Sequence, residues 1–258
     1  WNRMPRFFLY AFTPPVLYLL AGLALINALL LDYTVTVQGG HIGAILVTLL
    51  TFLFSQKYGF HILERTAHGH AGGPPLDRDT LLDHYEMPFK LIGIWIVIGV
   101  VGGLIAALVS ALLLIPYMLL VFFLLPGMLM TLAIEHSMGR ALNPAVPLRL
   151  AVSIGWPYFL TVGLFLLLNG GAGTVMGLFG QGLPPGARAF LGGLSQHYFW
   201  FVNMHLLGYL VYQYHERVGF SPDGLAEQDD GWGEVLAPVE EHIEAGQYEA
   251  AADRLKAM

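Results

Sequence analysis

The chain has 258 residues, of which 56% are hydrophobic and 12% charged, with a formal net charge of −6. An ordinary soluble domain carries about 25% charged residues, so a water-soluble fold is excluded; it could not hide this much apolar surface. Zero cysteines exclude disulfides, thiolate nucleophiles, iron–sulfur clusters and Cys-ligated zinc, and the twelve scattered Lys and Arg give no nucleic-acid footprint.

In chain order, hydropathy predicts six transmembrane helices at about 15–31, 41–54, 91–114, 117–134, 148–168 and 189–212. The firmest stretch is Leu91–Ile134, 44 residues without Asp, Glu, Lys or Arg, where a bilayer-spanning helix needs only about 20. Pro116 is expected to split that run into a tight hairpin, and Trp156-Pro157 to kink the fifth span. Between the second and third spans, Lys57–Phe89 reads as a polar loop containing Glu64 to Pro75, then a short helix from Asp77. Gly170–Gly186 is Gly-rich, and its Val175–Phe179 segment is too short to span, so it reads as an interfacial or re-entrant turn.

Orientation follows from the positive charges, because loops on the cytoplasmic side retain Lys and Arg. Arg3, Arg6, Lys57, Arg65, Arg78, Lys90, Arg140, Arg149, Arg217, Arg254 and Lys256 fall on one side, and Arg188 alone on the other. Both termini are therefore expected in the cytoplasm, in a bacterial inner membrane with its lipids as partners. Apart from Arg149 at the start of the fifth, the spans contain no Asp, Glu, Lys or Arg, which argues against a proton- or sodium-coupled pump.

Ten of the eighteen acidic residues follow Ser221. In this tail, Trp232–Glu244 and Gln247–Lys256 read as two amphipathic helices broken at Ala245-Gly246. The segment around Gly246, Tyr248 and Ala251 resembles the turn and second-helix start of a tetratricopeptide (TPR) repeat. One such hairpin cannot bury its own apolar stripe. Further chain beyond Met258, or a partner, is expected to cover it, and the opening on Trp1 also suggests a fragment.

Several constellations could carry chemistry. His61, His68 and His70 form an H-x6-H-x-H pattern beside Glu64, a candidate metal site; the alternative is three loop histidines. Bis-His haem is a further possibility, with His41 and His197 near the outer face and His61, His136 and His215 near the inner one. His197, Asn203 and His205 make the last span the most polar, as an intramembrane path or as packing hydrogen bonds. Glu135-His136 are sequence neighbours and form no dyad. Gly99 and Gly103 form a G-x-x-x-G that allows close helix approach, within the chain or between copies. No P-loop, nucleotide fingerprint, nucleophile elbow or zincin motif occurs, so no catalytic residue and no cofactor is expected.

The turns Arg65–Pro75 and Gly139-Arg140-Ala141-Leu142-Asn143-Pro144, set between apolar spans, resemble those of the bacterial DUF4013 and Yip1-like six-helix membrane proteins. The resemblance covers Lys57–Leu150 and implies a membrane-organising or trafficking-type role without catalysis. The expectation is a non-enzymatic homo-oligomer or complex subunit, an all-α polytopic helix bundle presenting the TPR-like tail. A channel or lipid/small-solute transporter is the alternative, and a His-ligated metal or haem protein a third reading.

Overall fold

The computed structural model describes residues 4–36, 41–70, 72–77 and 85–222. The chain divides into two units, Trp1–Phe220 and Ser221–Met258. The first is the helical bundle described below. The predicted hairpin, with Gly246, Tyr248 and Ala251, lies outside the described residues, as do residues 78–84 of the helix expected from Asp77.

A short helix α1 (Met4–Leu9) runs through a 3-10 turn at Tyr10–Phe12 into α2 (Pro14–Thr36). The Thr13 hydroxyl donates to the Tyr10 carbonyl at 2.8 Å, and Pro14 and Pro15 start α2, where a missing N–H breaks no helical bond. Helix α3 (His41–Ala67) ends at Gly69, whose φ of 89° only glycine adopts easily. There His70 N–H donates to Arg65 and Gly69 N–H to Thr66, the paired bonds of a Schellman stop.

Helices α4 (Glu86–Leu108) and α5 (Leu114–Glu135) form the expected hairpin. The break falls at Val109-Ser110, where the Ser110 hydroxyl accepts from Leu112 N–H at 3.2 Å, ahead of the proline. Pro116 sits inside the first turn of α5, the position a proline tolerates. Helix α5 ends at His136 in the left-handed conformation. Two short helices follow, α6 (Met138–Leu142) and α7 (Ala145–Ile154), then α8 (Trp156–Phe179), α9 (Pro185–Gln213) and α10 (His215–Val218).

Helices α9 and α5 are the two hubs. The first packs on α2, α3 and α8, and the second on α4, α6 and α7. Among the described residues, four helices are long and apolar enough to cross a membrane: Ile45–Ala67 within α3, α4, Ala111–Glu135 and α8. Helix α2 adds the shorter apolar stretch Pro14–Leu30, and α9 is longer than these but more polar. Only 22% of the most apolar stretch of α4 and 11% of that of α8 is buried within the protein. Ile96, Val100, Leu104 and Leu108 therefore face outward, an apolar exterior suited to hydrocarbon and hostile to water.

Three expectations are corrected. The second span does not stop at residue 54, because α3 continues to Ala67. Lys57, Glu64 and Arg65 thus lie in an apolar helix, and the view that Arg149 is the spans' only charge fails. The fifth span, placed at 148–168, straddles two helices. Gly155, with φ 77° and ψ −143°, turns the chain between α7 and α8, and Pro157 in the first turn starts the new helix. Most of the supposed Gly-rich turn, up to Phe179, is the last part of α8. Gly155→Ala is expected to destabilise by about 1–3 kcal/mol, since this backbone region is nearly confined to glycine; thermal melting in detergent measures it.

Of the two contacts expected of Gly99 and Gly103, within the chain or between copies, the first is not made. A Cβ added at either meets nothing within 4 Å, so within this chain neither allows a close approach. Gly102 does that instead, lying against the Tyr117 ring.

Candidate functional site

The polar side chains of α9 fix it to its neighbours. His197 shares a 2.9 Å hydrogen bond between Nδ1 and the Ser55 hydroxyl on α3, and a longer 3.4 Å contact between Nε2 and the Asn27 amide on α2. Two turns on, His205 Nδ1 shares a 2.9 Å bond with the Thr66 hydroxyl. Its ring stacks on Tyr10 with centroids 3.8 Å apart and 8° between planes. One histidine therefore joins three helices, and the other pins the N-terminal segment to the bundle. Asn203 differs: it is 1% exposed, and neither amide atom finds a hydrogen-bond partner among the described residues.

A charged cluster gathers where α3 and α5 end and α4 begins. Glu64 lies 4.0 Å from His61 Nδ1 and 3.9 Å from His136 Nδ1. Lys90 donates to the His136 carbonyl at 2.8 Å and pairs with Glu86 at 2.9 Å, and Arg140 pairs with Glu135 at 2.6 Å. Beside Glu64 opens a cleft of about 240 Å³, lined by Leu63, His68, Ala133, His136 and Phe220 among others. A carboxylate between two imidazoles can hold or pass a proton. The helical repeat puts His61 and Glu64 on one face, but the left-handed cap that brings His136 to them carried no signal in sequence.

The metal pattern is not borne out. Among the described residues, no three His, Asp or Glu side chains are placed to hold a metal ion. His61 lies within α3, His68 follows its last turn and packs edge-on against Phe220, and His70 lies beyond the Gly69 stop. As for haem, both ring nitrogens of His197 are already engaged, and the side chain of His41 is outside the described residues.

The Glu64 and His136 side chains are 20% and 39% exposed, but the two atoms that face each other, Oε1 and Nδ1, are buried. A double-mutant cycle with Glu64→Gln and His136→Ala is therefore expected to give a coupling above the ~1 kcal/mol of exposed pairs, read from melting temperatures. A coupling below that value means that solvent screens the contact.

A groove of about 680 Å³ lies between α2, α3 and the start of α4, with almost wholly apolar walls. Among its described lining residues Lys57 is the one cation; it is 2% exposed, with its ammonium 3.9 Å from the centroid of the Tyr85 ring.

The described residues form an all-helical bundle with four helices long and apolar enough to cross a membrane. Compared with protein-family models, with curated proteins and with solved structures, the chain matches none.

Proposed function

We propose that this chain is a non-enzymatic subunit of a bacterial inner-membrane complex. It crosses the bilayer six times, with both termini in the cytoplasm, and presents residues 221–258 as a TPR-like protein-binding module. Helices α2 and α9 supply the two crossings beyond the four most apolar helices. With these helix ends, ten of the twelve Lys and Arg residues keep the cytoplasmic side expected of them, Lys57 lies within α3, and Arg188 remains the exception beside the α8–α9 turn. The resemblance of the Arg65–Pro75 and Gly139–Pro144 turns to Yip1-like proteins points the same way.

One observation carries the choice of scaffold over channel. The histidines that would line a path through the last helix are engaged on neighbouring helices, His197 with Ser55 and His205 with Thr66. Polar groups so used hold helices together. Pulldown with the full chain, and with a form ending at Ser221, tests the reading: partners should be lost with the tail, and an unchanged partner set sinks it.

Asn203 favours a second reading. A buried amide with no hydrogen-bond partner among the described residues is costly in hydrocarbon and marks solute or ion pathways. If this chain is a small-solute transporter, flux into liposomes should fall on Asn203→Leu or His205→Ala; flux absent from the wild type removes it.

A further inference from the structure

Among the described residues, no acid answers the charge of Arg65. The side chain stands two residues before the end of α3 and is half-buried. Its Nε is buried without a hydrogen-bond partner, and it enters no ion pair among the described residues. The carboxylate next in sequence, Glu64, is turned to His61 and His136 instead. A charge in an apolar helix is costly, and where it is kept without a partner it points to a ligand.

A second orphan lies beside it. Tyr10 is 4% exposed, and its hydroxyl has no hydrogen-bond partner among the described residues. The ring is not free to swing toward one, because it stacks on His205, which is held in turn by Thr66, the residue after Arg65. Tyr58 and Arg65 are seven residues apart, about two helical turns, and share one face of α3. The Arg65 charge acts on both tyrosine hydroxyls, and Tyr58 acts on Tyr10. Tyr58 has spent its proton on the Pro74 carbonyl at 2.8 Å. The loop that carries Pro74 rests on the start of α2, where Gly73 lies against Thr13 and Val16. Left unspent are a guanidinium, which only donates, and the Tyr10 hydroxyl, which can donate.

We propose that Arg65 and Tyr10 bind a phosphate group, the guanidinium taking two of its oxygens through Nε and a terminal nitrogen, and the Tyr10 hydroxyl donating to a third. A guanidinium fork matches two oxygens of a carboxylate or a phosphate equally well. The hydroxyl adds a third donor, and only the tetrahedral anion has a third oxygen to meet it. The phosphate can belong to a soluble ion or ester, or to a lipid headgroup; the recognising atoms are the same.

The test uses the full chain, purified in detergent and delipidated, in two arms. In one, inorganic phosphate is titrated by calorimetry, with acetate at equal ionic strength as the control. In the other, phosphatidylglycerol and a diacylglycerol of the same chain length are offered together, and native mass spectrometry reads which is retained. The phosphate-bearing probe should win in at least one arm; the first would assign a soluble phosphate, the second a lipid headgroup. Arg65→Gln should abolish that preference. Tyr10→Phe removes a hydroxyl that bonds to nothing among the described residues. Its melting temperature without ligand should therefore hold, while binding weakens about tenfold, the effect of one hydrogen bond to a charged group. Should Arg65→Gln not fold, Tyr10→Phe decides alone. No preference in either arm, or one that Tyr10→Phe leaves intact, overturns the proposal.

Discussion

Replacing Tyr158 by Phe removes one oxygen atom and is expected to destabilise the bundle by about 2–4 kcal/mol. Pro126 lies inside α5, and proline has no N–H to donate while its ring crowds the carbonyl one turn back. The Tyr158 hydroxyl, from α8, enters the opened ladder. It accepts from Gly127 N–H at 3.1 Å and donates to the Phe123 carbonyl at 2.8 Å. Without it, a backbone donor and a backbone acceptor are left buried where no water reaches them. Unfolding in mixed micelles measures the loss. In a Pro126→Ala background α5 can close its own ladder, and the penalty of Tyr158→Phe should shrink to below about 1 kcal/mol. An equal penalty in both backgrounds would mean that ring packing, and not the hydroxyl bridge, holds α8 to α5.

Gly208→Leu is expected to separate α9 from α3 and leave no monodisperse protein. A Cβ at Gly208 runs into the Leu63 carbonyl oxygen and comes within 2.7 Å of the Thr66 Cβ. The carbonyl belongs to the α3 backbone and cannot swing aside. Even Gly208→Ala should cost about 1–3 kcal/mol, the usual range for overpacking, and leucine more. Thr66 is also the partner of His205, so displacing α9 breaks that bond and the Tyr10 stack together. Gly99→Leu is the control: with open space at its Cβ, its melting temperature should not change. If Gly99→Leu instead changes the oligomeric mass, the outward glycine face of α4 is a contact between copies, and the chain is the homo-oligomer that its sequence allows.

The elements legible in sequence were those fixed by long-range composition. The charge-free run Leu91–Ile134 gave α4 and α5 to within a few residues. Where hydropathy met a charge, it misled. Lys57 seemed to close the second span, yet the lysine is covered by the Tyr85 ring and the helix continues past it for ten residues. The fifth span was misplaced because Leu148–Ile154 and Trp156 onward are both apolar, and only the positive φ at Gly155 separates them. His197 and His205 stood out as polar residues in an apolar helix. Their partners did not, since Ser55 and Thr66 lie 142 and 139 residues away in sequence. The Tyr158 bridge was equally hidden: a tyrosine near a proline in another helix has no periodic signature.

Helices α3 and α9 hold 27 and 29 residues, which at 1.5 Å per residue is about 40 Å and 43 Å. A bilayer's hydrocarbon core is only ~30 Å thick. In the six-crossing arrangement both must lean or project, and because they pack against each other they must do so as a pair. Hydrophobic mismatch costs fractions of a kcal/mol per ångström and sorts proteins among membranes. Bilayer thickness, set by acyl-chain length, is thus a physical variable that this pair of helices reads, separately from any headgroup chemistry.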